Sequence, residues 1–429
     1  MRVTRRLLAQ LCIAVVAAAG ALLAVFRATQ PRTAALAIET SPPPIAASSD
    51  SFPRLIQLYS GLQLEPGNDV DILLNGEGTY PRLWADLAAA TTSITLQSYY
   101  NQPGAMADTL SYILRRAARR GVKVRLLLDA FGSSDITDDW IRELRNAGVH
   151  AELLRPLRWQ TVHGAADRSH VRAIVIDGRI GYTGGFGFAD YWQGSGTRAN
   201  EWRETNVRVI GPAAQRLQAA FGAAWLEATG ELLVSGDFFA LPAMAGGVNA
   251  GVLFTTTTTG STAAERFLVL TLAGAAKRLY ITNSYFVPNA DLRRLLADAV
   301  GRGVDVRILT AGPQTDVATT RYAGRYHYED LLRAGVKIWE YEAAMMHAKT
   351  ISIDGFWAAI GSMNFDNRSL AFNDEATLVV HDSSVAARLD SVFLADLGLA
   401  REVVLDRFVA RSPWERLLEI GANLLAALL

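Results

Sequence analysis

Two short segments of this chain place an imidazole two residues before a cation. The first reads His170-Val171-Arg172-Ala173-Ile174-Val175-Ile176-Asp177, with Gly184-Gly185 beyond it. The second reads His347-Ala348-Lys349-Thr350-Ile351-Ser352-Ile353-Asp354, with Gly361-Ser362-Met363-Asn364 beyond it. Both have strand character, and side chains alternate between faces along a strand. His170 and Arg172 therefore share a face with Ile174 and Ile176, and His347 and Lys349 share one with Ile351 and Ile353, while Asp177 and Asp354 point the other way. An imidazole carries protons near neutral pH and attacks through its free nitrogen. A guanidinium or ammonium beside it neutralises anionic oxygens. If the two parts of the chain pack about a pseudo-twofold axis, two imidazoles and two cations converge on one cleft.

The elements that must position these residues also occur twice. Residues 93–100 (SITLQSYY) read as a strand, 105–120 as a helix and 121–129 (GVKVRLLLD) as a second strand, before a helix ending at Gly148 and a strand at 149–154. Residues 279–286 (LYITNSYF), 291–302, 303–310 (GVDVRILT) and 336–341 follow in the same order. Strands made of continuous apolar runs, alternating with helices, predict an α/β fold whose sheets are covered by helices.

The chain has 429 residues, half of them hydrophobic and 20% charged, enough for two domains with a sizeable core. Lys plus Arg and Asp plus Glu number 42 each, a balance that argues against a long polyanion such as nucleic acid as partner. The single cysteine, Cys12, lies in the first apolar run, so a disulfide framework, a cysteine metal site and a cysteine nucleophile in the body are excluded. Only four of the 42 basic residues are Lys, which makes Arg at a cation position unsurprising.

Arg2, Arg5 and Arg6 precede an apolar stretch over residues 7–26, broken only by Gln10 and closed by Arg27. Its length suits a membrane span, and the flanking arginines place the N-terminus in the cytoplasm and the body outside. The Ala17-Ala18-Ala19 run keeps a cleaved signal open as the alternative. The expected organisation is an anchor or signal at 1–27, a Pro/Ala/Ser linker at 28–54, lobes at 55–245 and 246–400, and an amphipathic tail at 401–429.

The paired motifs resemble those of the phospholipase D superfamily, and the likeness extends from about Asp69 onward. Residues 68–76 (NDVDILLNG), Ser284-Tyr285-Phe286-Val287-Pro288, residues 361–370 (GSMNFDNRSL) and the tail 412–429 narrow it to the bacterial cardiolipin synthase branch. The resemblance implies two repeated lobes, each a mixed sheet flanked by helices, with the active site at their pseudo-twofold interface. It implies an inner-membrane phosphatidyltransferase acting on anionic phospholipid at the membrane surface, without metal or other cofactor. One histidine would attack phosphorus and the other would act as acid and base; the resemblance favours His170 as nucleophile, though the symmetry leaves the order open. Arg172 and Lys349 would bind the phosphate, Asp177 and Asp354 complete the motifs, and Glu204 and Glu375 match the acids that orient the imidazoles. Tyr285, Ser362 and Asn364 are the expected substrate contacts. A hydrolase using water as acceptor and a degenerate lipid-binding protein are the alternatives.

Two departures stand out. Arg172 occupies a position where the family has Lys, and Gly187 stands where the second copy has Asn364. Outside the motifs, Arg155, Arg158, Trp159 and Arg168 on one loop, and Arg321 and Arg325 on another, are candidates for headgroup contacts or ordinary solvated positions. The tail helix is expected to pack its apolar side on its own domain.

Overall fold

The computed structural model describes residues 37–38, 43–156, 168–241, 244–256 and 262–426. In the first half the strands are β1 (Glu65–Leu74), β2 (Ser93–Ser98), β3 (Lys123–Asp129), β4 (His150–Leu154), β5 (Arg168–Ser169), β6 (Ala173–Ile176), β7 (Ile180–Gly184), β8 (Trp202–Arg203) and β9 (Thr205–Ile210). The second half continues with β10 (Val248–Thr255), β11 (Arg278–Asn283), β12 (Asp305–Ala311), β13 (Lys337–Tyr341), β14 (Met345–Met346), β15 (Lys349–Ile353), β16 (Trp357–Gly361), β17 (Asn373–His381) and β18 (Ala400–Glu402). The expected mixed α/β architecture with a duplicated plan is present.

The two halves share one sheet. Counted outward from the centre, one side runs β1, β9, β7, β6, β2, β3, β4 and the other runs β10, β17, β16, β15, β11, β12, β13, with β18 added at the edge. Corresponding neighbours pair in the same sense, and β1 pairs antiparallel with β10 to fuse the halves. Every residue of β2, β6, β15 and β16 is buried, as their continuous apolar runs require.

Helices cover these strands through apolar residues at helical spacing. Ala105–Arg119 buries Met106, Leu110, Leu114 and Ala117, and Ala290–Gly301 buries Leu292, Leu295, Leu296 and Ala299. Asn289 caps the second of these by accepting the Leu292 N–H. A separate cluster joins Val70, Ile72, Val207 and Val209 of the first half to Ala358, Ile360, Leu378 and Val380 of the second, so the join between halves has its own apolar core. At roughly 25 cal/mol per Å² of apolar surface, burial of this kind dominates the favourable side of folding.

Each motif strand ends in a turn that the aspartate builds. Asp177 and Asp354 both sit at φ +53°, each followed by a glycine of positive φ, Gly178 and Gly355. The left-handed region suits Asp-Gly, which brings the following strand back as a hairpin. Asp177 accepts the backbone N–H groups of Thr91, Thr92 and Ser93. Burial alone would raise its pKa, but these N–H groups outweigh burial and hold it below the ordinary carboxylate value. Asp354 likewise accepts from Ala276, Lys277 and Arg278 at 2.8–2.9 Å. Each carboxylate thus ties its hairpin to the start of the adjacent antiparallel strand.

Replacing Asp354 by Ala leaves three backbone donors unpaired. Denaturant unfolding should show a loss of about 3 kcal/mol or more.

Candidate active site

Short crossed strands bring the motifs together. β5 leaves the first half and pairs parallel with the start of β17 in the second, and the His170 N–H donates to the Asp374 carbonyl at 3.0 Å. β14 makes the reciprocal crossing to β8, and the His347 N–H donates to the Arg203 carbonyl at 2.8 Å. Each histidine is therefore seated against the other half's acid. His170 Nδ1 lies 3.0 and 3.1 Å from the Glu375 carboxylate oxygens, and His347 Nδ1 lies 2.6 Å from Glu204 Oε2. With Nδ1–H donated to a carboxylate, Nε2 carries the free lone pair and is the reactive atom.

Both imidazoles line one cleft of about 250 Å³, together with Arg172, Tyr99, Tyr100, Trp192, Trp202, Tyr285, Asp316, Asn364, Asp366, Arg368 and Asn373. The two cations stand beside them but are held differently. Lys349 Nζ donates to Ser284 Oγ at 2.8 Å and to the His347 carbonyl at 2.5 Å. Arg172 donates Nε–H to the Phe186 carbonyl at 2.7 Å and one Nη–H to the His170 carbonyl at 3.0 Å, and its guanidinium lies 5.7 Å from the Tyr99 ring centre. Strand register makes Tyr99 the counterpart of Ser284, because β2 and β11 align at Ser93 and Arg278 against β3 and β12. Where Lys has a hydroxyl partner, Arg has a ring and a carbonyl. The Lys-to-Arg departure is thus one half of a coupled pair of differences.

The remaining differences between the halves follow the same trend. Ser362 and Ser369 donate to Glu375 at 2.5 and 2.7 Å. Counting from the two glycine-led loops, their counterparts are Gly185 and Trp192. A Cβ on Gly185 would come within 2.4 Å of Glu204 Oε2, and a Cβ on Gly187 would come within 2.7 Å of the Trp192 ring. The indole of Trp192 therefore fills the space that a side chain at 187 would need. Glu204 keeps only the Thr205 N–H and His347 as close donors among the hydrogen bonds described for its carboxylate.

The electrostatics diverge accordingly. Burial raises the pKa of Glu204 to about 7, against the opposing pull of Lys349 and the Thr205 N–H. Burial acts on Glu375 too, but His170, Ser362 and Ser369 outweigh it and hold the carboxyl below its ordinary value. Burial, then Arg172, lowers His170 to about 4, with Glu375 opposing. His347 is pushed well below the ordinary value by burial and by Lys349 and Arg172, and burial brings Lys349 down to about 7. Aromatic rings surround His347: Trp202 at 4.7 Å, Trp192 at 5.5 Å and Tyr285 at 6.2 Å between centroids.

Of the residues expected from sequence, His170, Arg172, His347, Lys349, Glu204 and Glu375 come together. Tyr285 and Asn364 line the cleft, Tyr285 donating its hydroxyl to Asp316 at 2.8 Å. Ser362 is turned onto Glu375 and orients that acid, a different task from substrate contact. Asp177 and Asp354 are turn braces away from the cleft. Arg155 pairs with Glu227 and Asp374, and Arg321 and Arg325 pair with Glu340, so these arginines are engaged in the protein; Arg158 and Trp159 lie outside the described residues. Tyr99, Ser284, Ser369, Trp192, Trp202 and Asp316 were not singled out. Aligning the two halves strand by strand would have exposed Tyr99 opposite Ser284.

Nitrogen NMR of histidine-labelled protein should find His170 neutral as the Nδ1–H tautomer down to pH about 4. In the Ser362→Ala, Ser369→Ala variant, carbon NMR should find the Glu375 carboxyl titrating at higher pH, because the two hydroxyls that help hold it below its ordinary value are gone. An unchanged Glu375 titration would refute the role given to the serines.

The family described as "Cardiolipin synthase, PLD-like domain" matches residues 83–225 and 268–397. A cardiolipin synthase of Geobacillus kaustophilus (strain HTA426) is 34% identical over 361 residues, covering 83% of this chain and 72% of the relative. The major cardiolipin synthase of Bacillus subtilis (strain 168) is 30% identical over 365 residues, covering 84% and 76%. In fold, the chain is similar to phosphatidylserine synthase of Haemophilus influenzae, with a TM-score of 0.67 at 14% identity, covering 89% of this chain and all of that one. The chain belongs to the phospholipase D superfamily, in its cardiolipin synthase-like branch, and is an enzyme of that superfamily.

Proposed function

We propose that this enzyme transfers a phosphatidyl group from one phosphatidylglycerol to a hydroxyl of another, forming cardiolipin and releasing glycerol. The observation that carries the reading is the pair of crossed imidazole–carboxylate contacts at one cleft, with Arg172 in its lining and Lys349 held on the His347 carbonyl. Phosphodiester oxygens are anionic, and attack on phosphorus needs them neutralised; Lys349 and the outer Nη of Arg172 supply that charge. His170 Nε2 attacks phosphorus and the P–O bond to the glycerol headgroup breaks. His347 gives its Nε2 proton to the departing alkoxide, then takes the proton of the incoming hydroxyl as that oxygen displaces His170.

The difference between the carboxylates supports this order. Glu375, kept ionised by two serines, stabilises the positive phosphohistidine at His170. Burial, then Lys349 and Arg172, favour the neutral form of His347; a bound phosphate anion offsets the two cations and favours the proton that His347 must donate. The indoles around His347 narrow water's access to the acceptor side, which favours an alcohol over hydrolysis.

The apolar run at 7–26, behind three arginines, supports an inner-membrane anchor with the body on the outer face. It lies outside the described residues; among those, no helix is long and apolar enough to cross a membrane.

Expression in a host without cardiolipin should restore that lipid. With radiolabelled phosphatidylglycerol, His347→Asn should form a slow, persistent phosphatidyl adduct and His170→Asn none. An adduct in the His170 variant would reverse the assignment.

The coupled cation site yields a second expectation. A Lys at 172 loses the Phe186 carbonyl contact and meets Tyr99 where its counterpart meets a hydroxyl, so Arg172→Lys should lower kcat/KM by about 100-fold. Adding Tyr99→Ser should recover about tenfold of it. Strictly additive losses would show that the two positions are independent.

A further inference from the structure

The C-terminal helix Pro413–Leu424 is built inside out for a helix in water. It carries a capping box, Ser412 with Glu415, so its start is well defined. Its inward face presents Glu419, fully buried between Arg325 at 3.2 Å and Arg411 at 2.8 Å, and Ala422, packed on Val287 and Ala323. Its outward face presents Trp414, Leu417, Ile420 and Leu424, which are 66%, 56%, 49% and 53% exposed. These residues recur at i, i+3, i+6 and i+10, a single stripe. A large aliphatic side chain left in water forgoes the free energy of burial.

The location of the stripe narrows what can cover it. The helix lies on Ala318–Arg325, which begins immediately after the cleft residue Val317. The Ala426 carbonyl accepts from Asn367, next to the cleft residue Arg368. Asn423 bonds His327, which sits beside Arg293. Arg293 belongs to the helix Ala290–Gly301, and the next turns of that helix, at Arg294, Leu295 and Asp298, line a small cavity with Ala37 and Ile38. The apolar run ends at Phe26, eleven residues before Ala37, a reach of at most about 40 Å. Ala37, the first described residue, and the tail helix are therefore both linked to the helix Ala290–Gly301. The stripe offers roughly 500 Å², below the ~800 Å² per partner of a standard protein interface.

We propose that this helix lies in the headgroup region of a phospholipid bilayer, with Trp414, Leu417, Ile420 and Leu424 among the acyl chains, and holds the cleft rim at the lipid surface. Trp414 has the amphipathic ring favoured at that depth. The proposal rests on the phospholipid-substrate reading: a bilayer lipid reaches the buried imidazoles only if the rim meets the membrane.

The test uses the full chain with Cys12→Ala, reconstituted in vesicles of phosphatidylglycerol and phosphatidylethanolamine. An environment-sensitive dye at Leu417→Cys or Ile420→Cys should shift to the blue and be quenched by lipid-borne nitroxide; a dye at Tyr112→Cys, on the exposed face of Ala105–Arg119, should not. Water-accessible dyes at 417 and 420 would overturn the proposal. So would protection that develops without lipid as concentration rises, since a second copy would then cover the stripe. Separately, Leu417→Ser with Ile420→Ser should cut turnover of vesicle phosphatidylglycerol about tenfold and leave turnover of a monomeric short-chain analogue unchanged. Equal losses on both substrates would also overturn it. If the unsubstituted enzyme turned over neither, the phospholipid reading would fail while the dye measurements still decided the docking.

Discussion

A buried charge must be paired, and here each buried imidazole finds its carboxylate only in the opposite half of the chain. His170 with Glu375 and His347 with Glu204 are almost wholly removed from solvent. Separating the halves would take each imidazole from the carboxylate that holds its Nδ1–H. The crossed strands β5 and β14 exist to make those contacts, and the fused sheet keeps them in register. Catalysis and the association of the halves consequently depend on the same bonds.

Two copies of one plan produce different chemistry because their linings differ at a few positions. Around Glu375 the second half supplies Ser362 and Ser369; at the equivalent positions the first half has Gly185, which lies against Glu204, and Trp192. The polar lining keeps one carboxyl ionised, and the apolar lining lets burial raise the other. A symmetric site could not easily assign one imidazole to bond formation and the other to proton transfer. In the proposed mechanism the lost symmetry supplies that division of labour, and Arg172 facing Tyr99 is part of the same asymmetry.

Much of this was legible in the sequence. The repeated strand and helix order and the two motifs follow from short-range periodicity and spacing, which a linear reading captures well, and the downstream acids from the family resemblance. Three features depend on partners far apart in the chain. β1 and β10, which fuse the sheet, carry no chemical motif. The two-residue strands β5, β8 and β14 are too short to show a period, so the exchange of acids between halves was hidden. Arg172 was visible as a departure, but Tyr99, which faces it, is 73 residues away. The aspartates illustrate a different limit: a strand-closing Asp-Gly supports a turn or a site equally well until its hydrogen bonds are known.

The tail helix shows why an amphipathic pattern fixes two faces without saying which is inside. Apolar residues at 417, 420 and 424 predicted packing on the body, yet Glu419 took the inner position because Arg325 and Arg411 were already fixed there, by Glu340 and by a contact with the Phe408 ring at 3.9 Å. Two cations held close together in the interior need a carboxylate more than they need another leucine. That local demand turned the helix over and left its apolar stripe facing outward, so satisfying charge inside the protein determines which hydrophobic surface is offered outside it.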